Sequence, residues 1–78
     1  MTTAYIVHNE EEVRQKYFYK KSTPPVADRF PCIMLQRDWD GGIMGDGYYY
    51  TFVYPPITMF GEYLDAWFAG FIEGTKYV

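Results

Sequence analysis

One cysteine and one histidine are all this chain has of the residues that most often hold metals or serve as nucleophile and base. A single cysteine excludes an internal disulfide, and with one histidine there is no Cys/His cluster for a structural metal. No nucleophile, base and orienting group fall into a recognisable set, so an enzymatic role is not expected. No cofactor is expected either. Long apolar runs are also missing. The most apolar stretch, residues 59–72, is broken by Gly61, Glu62, Asp65 and Gly70 and falls short of the roughly 20 residues a membrane span needs. Residues 1–8 lack the basic region and apolar core of a signal peptide. A cytoplasmic protein without membrane contact is the reading these absences favour, and a free cysteine suits a reducing compartment.

Positive charge is scarce in the second half. Residues 1–37 carry six basic side chains against four acidic ones, whereas residues 38–78 carry six acidic side chains against Lys76 alone. Such asymmetry concerns partners more than fold. A general nucleic-acid binder would be more basic.

Aromatic residues are abundant: nine Tyr, six Phe and two Trp in 78 residues. A domain this small buries only about 60% of its unfolded surface. Large rings are an efficient way to build its core, at roughly 150–250 Å² each.

The spacing predicts one α+β domain over residues 1–78, in the order β-α-β-β-α. Its sheet is three-stranded and mostly antiparallel, with two helices on one face. Residues 4–7 form the first strand. Asn9 opens a helix of about three turns, with Glu12 as its reciprocal capping partner and glutamates at the positive end of the dipole. Val13, Tyr17 and Phe18 are its expected buried stripe, and Pro24-Pro25 stop it. Residues 30–39 and 48–54 are strands joined through the glycine- and aspartate-rich segment 38–47, where Gly45 or Gly47 can take positive φ. In the second helix, near residues 59–73, Thr58 is the expected cap. Phe60, Tyr63, Leu64, Trp67, Phe68 and Phe71 recur at helical spacing, and Gly74 follows as the C-terminal stop.

Several constellations invite chemical readings. Asp38, Asp40 and Asp46 superficially suggest a calcium loop, but the twelfth loop position would be Tyr49, which brings no carboxylate. Gly42-x-x-Gly45-x-Gly47 leads into a strand, so no helix N-terminus would face a phosphate. Cys32 lies among Ile33 and Met34 and reads as a small buried hydrophobe. The stretch Arg14-Gln15-Lys16-Tyr17-Phe18-Tyr19-Lys20-Lys21 mixes cations with rings, as single-strand binders do. Its rings are needed in the core, however, and its lysines complement the helix dipole.

The second helix carries the stronger signal. Opposite its aromatic stripe lie Glu62, Asp65, Ala66, Ala69 and Glu73, with no cation to mix at i, i+4. An acidic ridge of low profile suits docking on a basic surface. Together with Asp38, Trp39, Asp40, Asp46 and the aromatic anchor Tyr49, these carboxylates are the expected partner-binding residues. The expected function is therefore a non-enzymatic protein-binding module that masks a basic site on another protein. That build is one expected of phage or mobile-element inhibitors of host nucleic-acid machinery, anti-CRISPR proteins among them, an analogy of gross properties only. A homo-oligomeric accessory subunit, self-associating through the tyrosine strand, is the alternative. Single-stranded nucleic-acid binding through the first helix is a weaker one.

Overall fold

Four consecutive residues, Cys32 to Leu35, are 0%, 0%, 0% and 4% exposed. Side chains alternate between the faces of a strand, so such a run requires cover on both faces. The computed structural model, which describes residues 2–40 and 46–75, supplies that cover. Strand β1 (Thr2–Val7), helix α1 (Glu10–Lys16), strands β2 (Cys32–Asp40) and β3 (Asp46–Val53), and helix α2 (Gly61–Thr75) follow in order. The sheet is antiparallel with β2 in the centre, in the order β1-β2-β3. Pairing extends out to Asp40 opposite Asp46. Residues 41–45, which include Ile43, Met44 and the expected turn glycine Gly45, lie outside the described residues.

The helices occupy opposite faces of this sheet, which corrects the expectation of both on one face. Cys32 and Met34 cluster with Val7 and with Val13 of α1. Ile33 and Leu35 cluster with Phe68, Leu64, Trp67, Phe71 and Ile72 of α2. The register agrees: Val7 stands opposite Cys32 and Tyr5 opposite Met34, while Ala4 stands opposite Leu35. Two thin layers of side chains therefore sandwich one strand.

Helix α1 begins as its sequence implies. The Glu12 amide donates to Asn9 Oδ1 at 2.9 Å. The Glu12 carboxylate reaches back one residue further than a standard capping box, accepting from the His8 amide and pairing with His8 Nδ1, both at 2.9 Å. These hydrogen bonds from His8 hold the Glu12 carboxyl below its ordinary range. The helix ends after two turns rather than three. Tyr17 turns extended (φ −72°, ψ 128°) while its amide still donates to Val13 O, and this places its ring 4.9 Å from that of Tyr50. Lys20 folds back, its Nζ donating to Arg14 O and Gln15 O at 2.8 and 2.9 Å, a cation satisfying the last carbonyls.

The long connection from Tyr17 to Pro31 contains no helix or strand, and tyrosines fasten it to the sheet. Tyr50 Oη accepts from the Phe18 amide and donates to Gln36 Oε1, at 2.9 and 2.7 Å. Tyr54 Oη accepts from the Asp28 amide at 2.8 Å. In the reverse sense, Tyr19 Oη accepts from the Tyr48 amide at 2.6 Å. Arg29 adds a bond from Nη2 to Pro55 O at 2.7 Å. The aromatic run of β3 is thus a fastening strip for the loop on the α1 side.

Helix α2 starts later than the sequence suggests. Thr58 sits in a turn closed by the Met59 amide and Pro56 O. Phe60 O receives the first helical amides, Tyr63 and Leu64, at 3.2 and 3.4 Å. Gly61 has φ +55°, the one positive φ among the described residues, and Gly74 lies inside the helix instead of ending it. No helix among the described residues is long and apolar enough to cross a membrane.

Candidate functional site

The outward face of α2 assembles most of the expected contact residues. At about 100° per residue, Glu62, Ala66, Ala69 and Glu73 fall on one line opposite the buried arc, with Asp65 on its flank. All five are exposed. The helix contains no Lys, Arg or His, so along its own length this ridge is of one sign. Glu62 to Glu73 spans about 16 Å at 1.5 Å rise per residue.

A second feature lies where α2 ends over the sheet. A groove of about 600 Å³ is lined by Thr2, Leu35, Arg37, Asp38, Tyr49, Gly70, Phe71, Gly74 and Thr75. Its position follows from register, since Arg37 stands opposite both Thr2 and Tyr49. Gly70 and Gly74 stand one turn apart on the helix side of the groove, and a Cβ added to either would meet nothing within 4 Å. Neither glycine is demanded by packing. Tyr49, 46% exposed, is available here. Val53 on the same face is half-buried under α2.

Asp38 and Tyr49 therefore share a groove, and Glu73 projects from the turn of α2 between Gly70 and Gly74. Glu62 and Asp65 are set apart, toward the start of the helix. Trp39, Asp40 and Asp46 hold register positions at the far end of the hairpin, but their side chains lie outside the described residues. Arg37, a cation lining the groove, was not anticipated.

A third feature also escaped the sequence. Phe60 and Tyr63, expected in the buried stripe, are 72% and 78% exposed, and Ile57 beside them is 77% exposed. The helix register begins only at Gly61, so Phe60 is not on it. Tyr63 falls about 40° outside the arc that Trp67 bounds. The turn 56–59 and the start of α2 thus form an exposed knuckle. Its hollow, of about 520 Å³, is lined by Thr58, Met59, Phe60, Glu62 and Tyr63. A signal was present: Pro55-Pro56 followed by a glycine five residues later delays a helix start.

Cys32 is wholly buried, and burial pushes its thiol up despite nearby Arg29. His8 is engaged with Glu12 at the surface. The two are held in different environments. Compared with protein-family models, with curated proteins and with solved structures, the chain matches none.

Proposed function

We propose that this protein is a non-enzymatic binding module that docks the outward face of α2 on a basic surface of another protein and masks it. The observation that carries this reading is the exposed line Glu62, Ala66, Ala69 and Glu73, flanked by Asp65, on a helix without a cation. Small residues between the carboxylates let a partner approach the helix closely, and fixed charge of one sign raises association rate and selects the partner. Asp38 and Tyr49 in the groove extend the surface past the end of the helix, and Trp39, Asp40 and Asp46 belong to the same end of the molecule by register. A phage or mobile-element inhibitor that covers a positively charged site of host nucleic-acid machinery, in the manner of anti-CRISPR proteins, has this construction. The cytoplasm is where such a partner would be met.

Self-assembly through the tyrosine strand is less favoured. Tyr48, Tyr50 and Tyr54 face Phe18, Tyr17 and the Asp28 amide of their own chain. Nucleic-acid binding through the first helix is also less favoured, because Lys20 is bonded to helix carbonyls and Lys16 lies 5.3 Å from the centre of the Tyr5 ring.

The test is charge reversal with the fold kept. Asp40→Lys, Asp65→Lys and Glu73→Lys together should abolish capture of a partner from lysate of the native host, with an unchanged circular dichroism spectrum. Capture undiminished by the reversal would refute the proposal.

A further inference from the structure

The knuckle at the start of α2 has a physical oddity that the acidic ridge alone does not explain. Ile57, Phe60 and Tyr63 lie within seven residues of chain, and each is about three-quarters exposed. Single exposed apolar residues are ordinary, but grouped ones mark a contact site, and Phe60 and Tyr63 line one hollow. Two of the three are aromatic, the type that most often anchors interfaces. Glu62 lines the same hollow, and Asp65 is exposed on the other flank of the ridge, about 160° round the helix from Tyr63.

We infer that this knuckle is a docking site for a basic amphipathic polypeptide segment, whose apolar side chains seat on Ile57, Phe60 and Tyr63 while its Lys or Arg residues face Glu62 and Asp65. The inference rests on the reading of α2 as a protein-contact surface and names where the apolar part of that contact lies.

Charge complementarity selects this occupant over a second copy of the chain. A two-fold self-contact through the knuckle would bring Glu62 and Asp65 against their own equivalents, which is unfavourable. A head-to-tail contact would need a free basic patch elsewhere on the molecule. Lys20 is bonded to carbonyls of α1, Lys16 lies over the Tyr5 ring, and Arg29 is bonded to Pro55 O and lies 5.4 Å from the centre of the Tyr54 ring. Arg14, Lys21 and Arg37 are exposed on α1, the loop after it and β2, so the dimerisation measurement below decides for or against a head-to-tail contact. The polarity of the site also runs along the helix. Apolar bulk sits at its first turn, and carboxylates continue from Glu62 to Glu73. A segment lying along α2 would therefore meet an apolar anchor at one end and a negative track beyond it.

The probe is a short synthetic helix of Leu and Lys with one apolar face, titrated into the isotopically labelled protein and followed by amide chemical shifts. Two control peptides accompany it: the same composition scrambled to destroy the apolar face, and the same pattern with Glu for Lys. The Leu/Lys helix should shift residues 57–66, and the controls should bind at least about tenfold more weakly. Phe60→Ser with Tyr63→Ser, both at exposed positions, should weaken binding by about tenfold or more. Glu62→Gln with Asp65→Asn should weaken it several-fold and flatten its salt dependence. Equal binding by the scrambled peptide would overturn the inference. So would shifts confined to Asp38, Tyr49 and Glu73, although that outcome leaves the acidic-face reading in place. Concentration-dependent dimerisation that disappears in the Phe60→Ser/Tyr63→Ser variant would assign the knuckle to a second copy and overturn it as well. Conversely, knuckle binding intact while the charge-reversal variant still captures its partner would sink the masking function and keep this site.

Discussion

The hydroxyl of Tyr50 accepts a hydrogen bond from the backbone amide of Phe18 at 2.9 Å, across 32 residues of chain, and donates one to Gln36 Oε1. One side chain thereby joins the loop that follows α1 to two neighbouring strands. Burial, its largest influence, pushes the Tyr50 phenol up, partly offset by the Phe18 amide. Tyr50→Phe leaves the ring packing in place and removes both bonds, so it should cost about 1–3 kcal/mol. Urea unfolding measures the loss, and hydrogen exchange should show the Phe18 amide opening faster. Unaltered exchange there would contradict the fastening role.

The entry to α1 gives a second test. Asn9→Ala should lower stability by roughly 1 kcal/mol, because the Glu12 amide loses its acceptor. Glu12 brings a pH dependence of defined sign. Its folded pKa lies below the ordinary glutamate value of 4.5, so its contribution is present above that value and fades as pH falls through the folded pKa. Glu12→Gln should remove this acid-side component of the stability profile. A variant whose acid limb matches that of the parent would assign the component elsewhere.

The glycines of α2 should behave in opposite ways. Gly61 holds φ +55°, and Gly61→Ala should destabilise by about 1–2 kcal/mol. Gly70 and Gly74 have open space around the missing Cβ. Gly70→Ala should stabilise by roughly 0.8–1 kcal/mol, the propensity difference of a helix interior, and Gly74→Ala, one residue from the helix end, by less. Both also narrow the groove beside Tyr49, so a partner using it should bind the more stable variants less well. Thermal melts and partner capture on the same variants measure the two effects separately.

Cys32 is wholly buried, and a thiol held in its neutral form reacts slowly. A colorimetric thiol reagent should find it unreactive in the native protein and reactive at once in denaturant. Rapid native labelling would mean that the layer between α1 and β2 opens far more readily than its packing implies.

Much of the fold was legible from local rules. Asn9, Glu12 and the run of glutamates announced α1, and the segment from residue 48 returns as a strand paired with residues 33–38 as expected. What the sequence reading missed had non-local causes. Cys32-Ile33-Met34-Leu35 is a continuous apolar run, the mark of a strand covered on both sides. Reading residues 30–39 simply as a strand left both helices on one face. The stripe of α2 was extended to Phe60 and Tyr63 because periodicity alone does not say where a helix begins; a turn and a left-handed glycine decide that. The acidic residues at 62, 65 and 73 were read correctly as exposed, since a helix packed on one side must present its opposite side to solvent. The groove at Tyr49 could not be read, because it depends on strand register between three segments.

Whether the outward face of α2 is a contact surface is tested most directly by placing a photo-crosslinking residue at Ala66, between Glu62 and Glu73, with a control at exposed Gln15 on α1. Irradiation in the native host should yield one discrete adduct from position 66, formed on a Lys/Arg-rich segment, and little from position 15. Adducts from position 15 with none from position 66 would contradict the assignment.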